Sequence, residues 1–203
     1  MKRLFAILAG VVLGACGGNV RTSEMPRYDF GNLGTTSAGP GSRISIGTID
    51  VQAASWLSGP DMYYRLVYTE PLQRRAYAES RWAAPPAELL EAFLRRRMVF
   101  GQSDFGGGCR LQLVLDELEQ RFDDPQSSQV VLQVRALLAS SRGAEVLSRR
   151  VLTVHQAASA SSAAGGVAAT RDAVQALAGK LDGWLDEIGR DRPAIVERCR
   201  AQA

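Results

Sequence analysis

The chain has 203 residues, 46% hydrophobic and 22% charged, with 24 Lys and Arg against 21 Asp and Glu. That length builds one hydrophobic core rather than two domains of ordinary size. A formal net charge of +3 is too small for the basic footprint of a nucleic-acid-binding protein. The sole histidine, His155, is far in sequence from Cys109 and Cys199, and zinc takes about four ligands, so a metal site is not expected.

Lys2 and Arg3 precede the uncharged run LFAILAGVVL, residues 4–13. A basic end, a short apolar stretch and small residues follow the grammar of a secretory signal peptide, and the run falls short of the roughly 20 residues that cross a bilayer as a helix. The residues Leu13, Gly14, Ala15 and Cys16 resemble a bacterial lipobox. In signals of that kind the cysteine thiol is alkylated by a diacylglycerol and the peptide is cut just before it. Cys16 is therefore the predicted lipid-attachment site. Each buried acyl methylene contributes about 0.8 kcal/mol, so two or three chains hold a protein almost permanently. An ordinary signal peptide with an incidental cysteine is the alternative. Gly17 stands where an inner-membrane retention signal would resemble Asp, which favours the periplasmic face of the outer membrane.

Without residues 1–15 the mature chain loses Lys2 and Arg3, leaving 22 basic residues against 21 acidic ones. Two cysteines remain, Cys109 and Cys199. In an oxidising periplasm such a pair reads as a disulfide, which over a loop of that length would contribute about 4 to 5 kcal/mol. Two free thiols are the alternative.

Residues 17–43 are rich in Gly, Ser and Thr and read as a flexible tether. The island PRYDFG, 26–31, interrupts it with two aromatics and is expected to dock as an edge element. RISIGTIDV, 43–51, alternates through Ile44 and Ile46, then shifts phase across Gly47 to Ile49 and Val51, which predicts a bulged strand. MYYRLVY, 62–68, and LQRRAYAES, 72–80, flank a turn at Thr69, Glu70 and Pro71 and predict a hairpin. Over 83–98 a helix is predicted: Pro86 suits its first turn, Glu88 the positive end of its dipole, and Leu90, Phe93, Leu94 and Met98 one face. The glycines of 101–109 mark a loop.

In 111–122 the leucines Leu111, Leu113 and Leu115 run in one phase and Leu118 and Phe122 in the other, placing a bulge near Asp116. The alternating stretches 130–139 and 145–156 complete a three-strand meander, with turns at Asp124-Pro125 and Ser141-Arg142-Gly143. Residues 157–169, small and polar, read either as a loose loop or as a lip that orders on assembly. The last helix is predicted from about Val167 to Ile188, on the stripe Val167, Val174, Leu177, Leu181, Trp184, Leu185 and Ile188. The fold class is therefore α+β: a mostly antiparallel sheet (N-terminal strand, hairpin, three-strand meander) with two helices packed on one face. The predicted division is signal peptide 1–15, lipidated tether 16–43, one domain 44–190 and a C-terminal tail 191–203.

No nucleophile elbow, HExxH, P-loop or paired-cysteine metal spacing occurs in the sequence, and no cofactor is implied. His155, the only histidine, sits near a strand end and reads as a solvent-facing residue rather than a general base. The glycines 106–108 precede a strand, not the helix N-terminus that a phosphate cradle needs. Trp82, at the strand-to-helix junction, reads as either a core plug or a partner contact; Tyr63, on the opposite hairpin face from Tyr64 and Tyr68, is the second candidate contact. Arg95, Arg96 and Arg97 point about 100° apart on a helix and read as a solvated helix end.

The stretch MYYRLVYTEPLQRRAYAESRWAAPPAELLEAFL, 62–94, with YDFG, 28–31, and DELEQRFDDPQSSQVVLQVRALL, 116–138, resembles the ABC-type transport auxiliary lipoproteins, including the Pqi-type intermembrane transport lipoprotein. Its most specific piece is SRWAAPP, 80–86. The resemblance implies a non-catalytic subunit at the outer-membrane end of an MCE-type lipid transport system. The implied partners are an MCE-domain periplasmic protein and inner-membrane transporter components. Attachment to the outer membrane would be through the lipid anchor, and an exposed sheet edge leaves a homo-oligomer open. The competing reading is an envelope assembly lipoprotein that activates a cell-wall synthase or pilots a secretin.

Overall fold

Sheet formation centres on the longest alternating segment, which becomes strand β5, Cys109–Phe122. The computed structural model describes residues 25–31, 44–97, 107–141 and 145–200. The predicted signal peptide, Cys16 and Met98 lie outside the described residues, as do most of the tether, residues 101–106 and Arg142 and Gly143 of the last turn. The other elements are β1 (Arg27–Tyr28), β2 (Ile46–Ala53), a 3-10 turn (Ser55–Leu57), β3 (Asp61–Leu66), β4 (Arg74–Trp82), α1 (Pro86–Arg97), β6 (Ser128–Ala139), β7 (Val146–Ala157), α2 (Ala163–Asp191) and α3 (Pro193–Arg198).

The result is an α+β fold with a mixed, mostly antiparallel seven-stranded sheet. One edge of β5 carries β6 along its length, antiparallel from Arg110↔Ala139 to Phe122↔Ser128. The other edge is shared by two parallel strands, β2 against Cys109–Leu115 and β3 against Gln120–Phe122. β3 and β4 form the predicted hairpin, β6 and β7 the end of the meander. The register slips between Leu115 and Glu117, at the position where the leucine phase changes in the sequence. Asp116, thrown out of the ladder there, accepts two hydrogen bonds from Arg135, at 2.6 and 2.8 Å.

The predicted bulge in β2 also forms, between Ile46 and Thr48, because two glycine sites meet back to back. A Cβ on Gly47 would overlap the carbonyl oxygen of Gly107, and one on Gly108 would come 2.7 Å from Gly47 N. Gly108 also holds φ at +98°, a region that L side chains rarely adopt. Gly108→Ala is expected to cost about 1 to 3 kcal/mol, read as a lower urea midpoint with an unchanged slope.

Helix α1 starts at Pro86 and buries Ala87, Leu90, Phe93 and Leu94, on the predicted stripe. It also closes the outer edge of β2. Glu91 Oε2 accepts from the Val51 backbone N–H at 3.0 Å, and Arg95 donates to the Ile49 carbonyl at 2.8 Å, so side chains satisfy backbone groups that a bare edge would leave open. Arg95 is thus partly an edge cover as well as a charge at a helix end. Helix α2 packs on β6 and β7 through Ala173, Val174, Leu177, Ala178, Leu181, Trp184, Leu185 and Ile188. Arg97 of α1 lies 3.9 Å from Asp182 of α2, which sets both helices on the same face of the sheet.

Helix α2 begins at Ala163, four residues before the predicted start, so the small-residue stretch is only in part a loop. Ser162 Oγ accepts from the Gly165 N–H at 3.2 Å and caps the helix. A Cβ on Gly165 would overlap the Ala160 carbonyl, and one on Gly166 would overlap Gln120 Oε1. Small residues here mark a close approach between helix and sheet.

Candidate functional site

The chain between β4 and α1 turns at Ala83, Ala84 and Pro85, and Trp82 ends the strand just before it. Trp82 is 4% exposed. Its cover is the PRYDFG island: β1 pairs in parallel with β4, Tyr28 opposite Trp82, and the Phe30 ring meets the indole edge-on at 5.4 Å. Backbone bonds fix this docking, from Arg81 N–H to the Pro26 carbonyl (3.2 Å) and from Ala83 N–H to the Tyr28 carbonyl (2.7 Å). An aromatic pair of this kind contributes about 0.5 to 1.5 kcal/mol beyond the area it buries. Trp82 therefore makes its contacts within the chain.

Tyr63 lies on the other face of the hairpin. Strand alternation separates the two sides of the sheet: Gln120 reaches Gly166 of α2 and Arg150 binds Glu187 of α2, so Glu119 one residue along faces away from the helices. Tyr63 shares that uncovered face. Its ring meets Trp56 at 5.4 Å, and its hydroxyl donates to Asp61 Oδ2 at 3.3 Å. Burial, with the Asp61 charge behind it, raises the Tyr63 phenol above its ordinary value.

Beside Trp56 and Tyr63 stands a charge network that the sequence reading did not single out. Glu119 has a fully buried side chain. Its carboxylate accepts from Arg65 at 3.0 and 3.1 Å, from Arg74 at 3.0 Å and from Arg121 at 2.6 Å. Arg74 also binds Glu117 at 2.5 Å and lies 3.4 Å over the Trp56 ring, a cation–π contact. Burial alone would raise Glu119, but the hydrogen bonds from Arg65, Arg121 and Arg74 outweigh it and hold the carboxyl well below the usual carboxylate range. Glu117 is pushed up, by burial first and by the Glu119 charge second. The signal that could have revealed this group is the charge alternation Glu117, Glu119, Arg121 between Leu118, Gln120 and Phe122. The network is a polar plate beside the Trp56–Tyr63 pair.

On the helix side, Gln120 accepts from the Tyr77 hydroxyl and donates to Ser128 Oγ, both at 2.8 Å, and Tyr64 packs on Tyr77 and Phe122. His155 is exposed on β7, its Nδ1 3.3 Å from Gln129 Oε1. Among the described residues, no group of three His, Cys, Asp or Glu is placed to hold a metal ion. Cys109 and Cys199 are both fully buried, and their sulfurs stand at bonding distance, 1.99 Å. The bond ties α3 to the first residue of β5.

Residues 32–181 match the family model described as ABC-type transport auxiliary lipoprotein component. No curated protein matches the chain. Among solved structures, the chain is similar to a Xanthomonas campestris protein of the family DUF330, at 20% identity and a TM-score of 0.62, covering 77% of this chain and 93% of that one. An uncharacterized protein is similar at 17% identity and a TM-score of 0.51, over 75% of this chain and 94% of its own. At such identities these two support the fold alone.

Proposed function

The chain belongs to the family of ABC-type transport auxiliary lipoprotein components, and from that premise we propose that it is a periplasmic lipoprotein anchored in the outer membrane, a non-catalytic subunit of an MCE-type intermembrane lipid transport system. The family match over residues 32–181 carries the reading; the lipobox-like Leu13 to Cys16 supports the anchor. Among the described residues no helix is long and apolar enough to cross a membrane. Attachment in this reading is through acyl chains on Cys16, and the Gly- and Ser-rich segment behind it sets the reach from the membrane. The Cys109–Cys199 disulfide, in this reading, forms after export, in the compartment that favours such bonds.

The subunit works by protein contacts. The Trp56–Tyr63 pair, held by the Glu119 plate, is the surface this reading offers to an MCE-domain protein or an inner-membrane transporter component. Aromatic and arginine side chains in a rigid setting are what interface hot spots are made of.

Affinity purification of the tagged, lipidated protein from crosslinked envelopes, with mass spectrometry of the captured proteins, tests the assignment. Recovery of an MCE-domain protein is the expected result. Recovery of a cell-wall synthase or a secretin without any MCE protein would overturn it in favour of an envelope assembly role. A second measurement addresses the anchor: Cys16→Ser is expected to abolish incorporation of labelled palmitate and to move the protein out of the membrane fraction, since without acyl chains there is no hydrophobic attachment.

A further inference from the structure

The sheet closes two of its borders with its own chain and leaves a third bare. The outer edge of β2 is satisfied by Glu91 and Arg95 of α1, and the end of β4 takes β1. The outer edge of β7 receives no hydrogen bond from any described residue. Yet the strand runs over Val146–Ala157 without a proline. Long open edges are ordinarily blunted, because their free N–H and C=O groups template pairing with another strand.

The register identifies the free groups. Ala158 N–H donates to the Ser128 carbonyl at 2.9 Å, and the ladder continues without a shift from Gln129↔Ala157 to Leu138↔Ser148. Bonded and non-bonded pairs alternate along an antiparallel ladder, so the even-numbered residues of β7 bond to β6. The N–H and C=O groups of Arg149, Val151, Thr153 and His155 therefore point outward. Their side chains share the sheet face that the helices leave open, since Leu152 and Val154 between them are buried under α2. Val151 is 58% exposed there. The strand carries Arg149, Arg150 and His155 and no carboxylate, and Glu187 already holds Arg150. Arg149 is the cation left to face whatever pairs with this edge.

A second copy would bring the same basic strand, with no acid to meet Arg149. We propose instead that the β7 edge receives an extended segment of a partner protein as an added strand. That segment places a carboxylate beside Arg149 and, two residues along, an apolar β-branched side chain beside Val151. Main-chain bonds to the outward residues hold it, and alternation sets the two-residue spacing of its contacts. Opposite charges and β-branched pairs are both favourable cross-strand neighbours. The edge is the border of the sheet away from the hairpin that carries Tyr63. This inference rests on the reading of the chain as a transporter subunit that works by protein contacts, and adds a second surface to it.

The test repeats the envelope purification at a limiting dose of crosslinker on wild type, Arg149→Glu, Arg149→Lys and Val151→Pro. The captured MCE-domain protein or inner-membrane component is quantified by mass spectrometry against the bait. Recovery is expected to fall about tenfold or more in Arg149→Glu, where carboxylate would meet carboxylate. A similar fall is expected in Val151→Pro, which removes an outward N–H that the β6–β7 ladder does not use. Arg149→Lys should keep most of the recovery. Arg149 is exposed, so the melting temperature should hold in Arg149→Glu, which decides the matter if proline strains the strand. Unchanged recovery in both variants would overturn the inference and leave the transport reading standing. Wild type that captures no transporter component would overturn both. A dimer in mass photometry that Val151→Pro dissociates, with capture unaffected, would assign the edge to a second copy and overturn the proposal.

Discussion

Alanine in place of Glu119 is expected to destabilise the protein by about 3 to 5 kcal/mol, the cost of removing one partner from a buried ion network. The carboxylate is fully buried and accepts hydrogen bonds from Arg65, Arg74 and Arg121. Its loss leaves three guanidiniums, all at least half shielded, of which Arg74 and Arg121 keep Glu117 as a paired carboxylate. Unpaired charge in a low-dielectric setting costs more than the pair ever gained. Glu119→Gln keeps an acceptor while removing the charge, so it should fall between wild type and alanine. Urea unfolding of the three proteins reads the ranking directly. A loss under about 1 kcal/mol for alanine would mean that the arginines turn out to water and that the network behaves as a surface one.

The same network fixes the sign of the acid response. Glu119 titrates below its unfolded value in the folded protein. Its stabilising contribution is therefore complete above the unfolded glutamate pKa, about 4.3, and is lost as pH falls through the lower folded value. Glu117 is raised, so it takes up its proton first and by doing so relieves like-charge repulsion on Glu119. The expected profile is a plateau down to mildly acidic pH with the fall concentrated below about pH 4. In Glu119→Gln that acid limb should flatten, because the group that binds the extra proton on unfolding is gone.

Periodicity made much of this fold legible. The phase change from Leu115 to Leu118 located the β5 bulge, and Gly47 located the one in β2, because alternation records which face a side chain takes. The aromatics in PRYDFG flagged a docking element for the reason the structure gives: Phe30 covers Trp82. Strand direction was not legible, since alternation reads the same for parallel and antiparallel neighbours, and the pairings of β1, β2 and β3 with distant strands are parallel. The first turns of α2 were read as a loop or lip because Ala, Gly and Ser look loose until the opposing Gln120 and Ala160 are known. The Glu119 network was hidden for a similar reason: each charge is ordinary on its own strand, and only the β3–β5 register brings Arg65 beside Arg121.

The second large effect is expected from the cysteines. Cys109 and Cys199 are separated by 90 residues, and closing a loop of that length removes chain entropy from the unfolded state worth about 4 to 5 kcal/mol. The local packing gives the bond a further task. Helix α3 is six residues long and has no fully buried side chain, with only Ile195 and Val196 partly packed on the core. A helix that short is not stable by itself, so its place against the sheet rests mainly on Cys199, buried at its C-terminal end, with the exposed Arg198–Glu145 ion pair adding little. The double variant Cys109→Ser, Cys199→Ser should lower the melting temperature by about 10 to 20 °C and raise amide exchange across residues 193–199 well before the sheet exchanges. Wild type under strong reductant should reproduce both changes. The two readouts separate two physical accounts. A large thermal shift with α3 still protected would mean that the bond acts on the unfolded chain and that Ile195 and Val196 suffice to dock the helix. Fast exchange in α3 with little thermal shift would mean that the bond serves the local dock and that residual structure in the unfolded chain cancels the loop term.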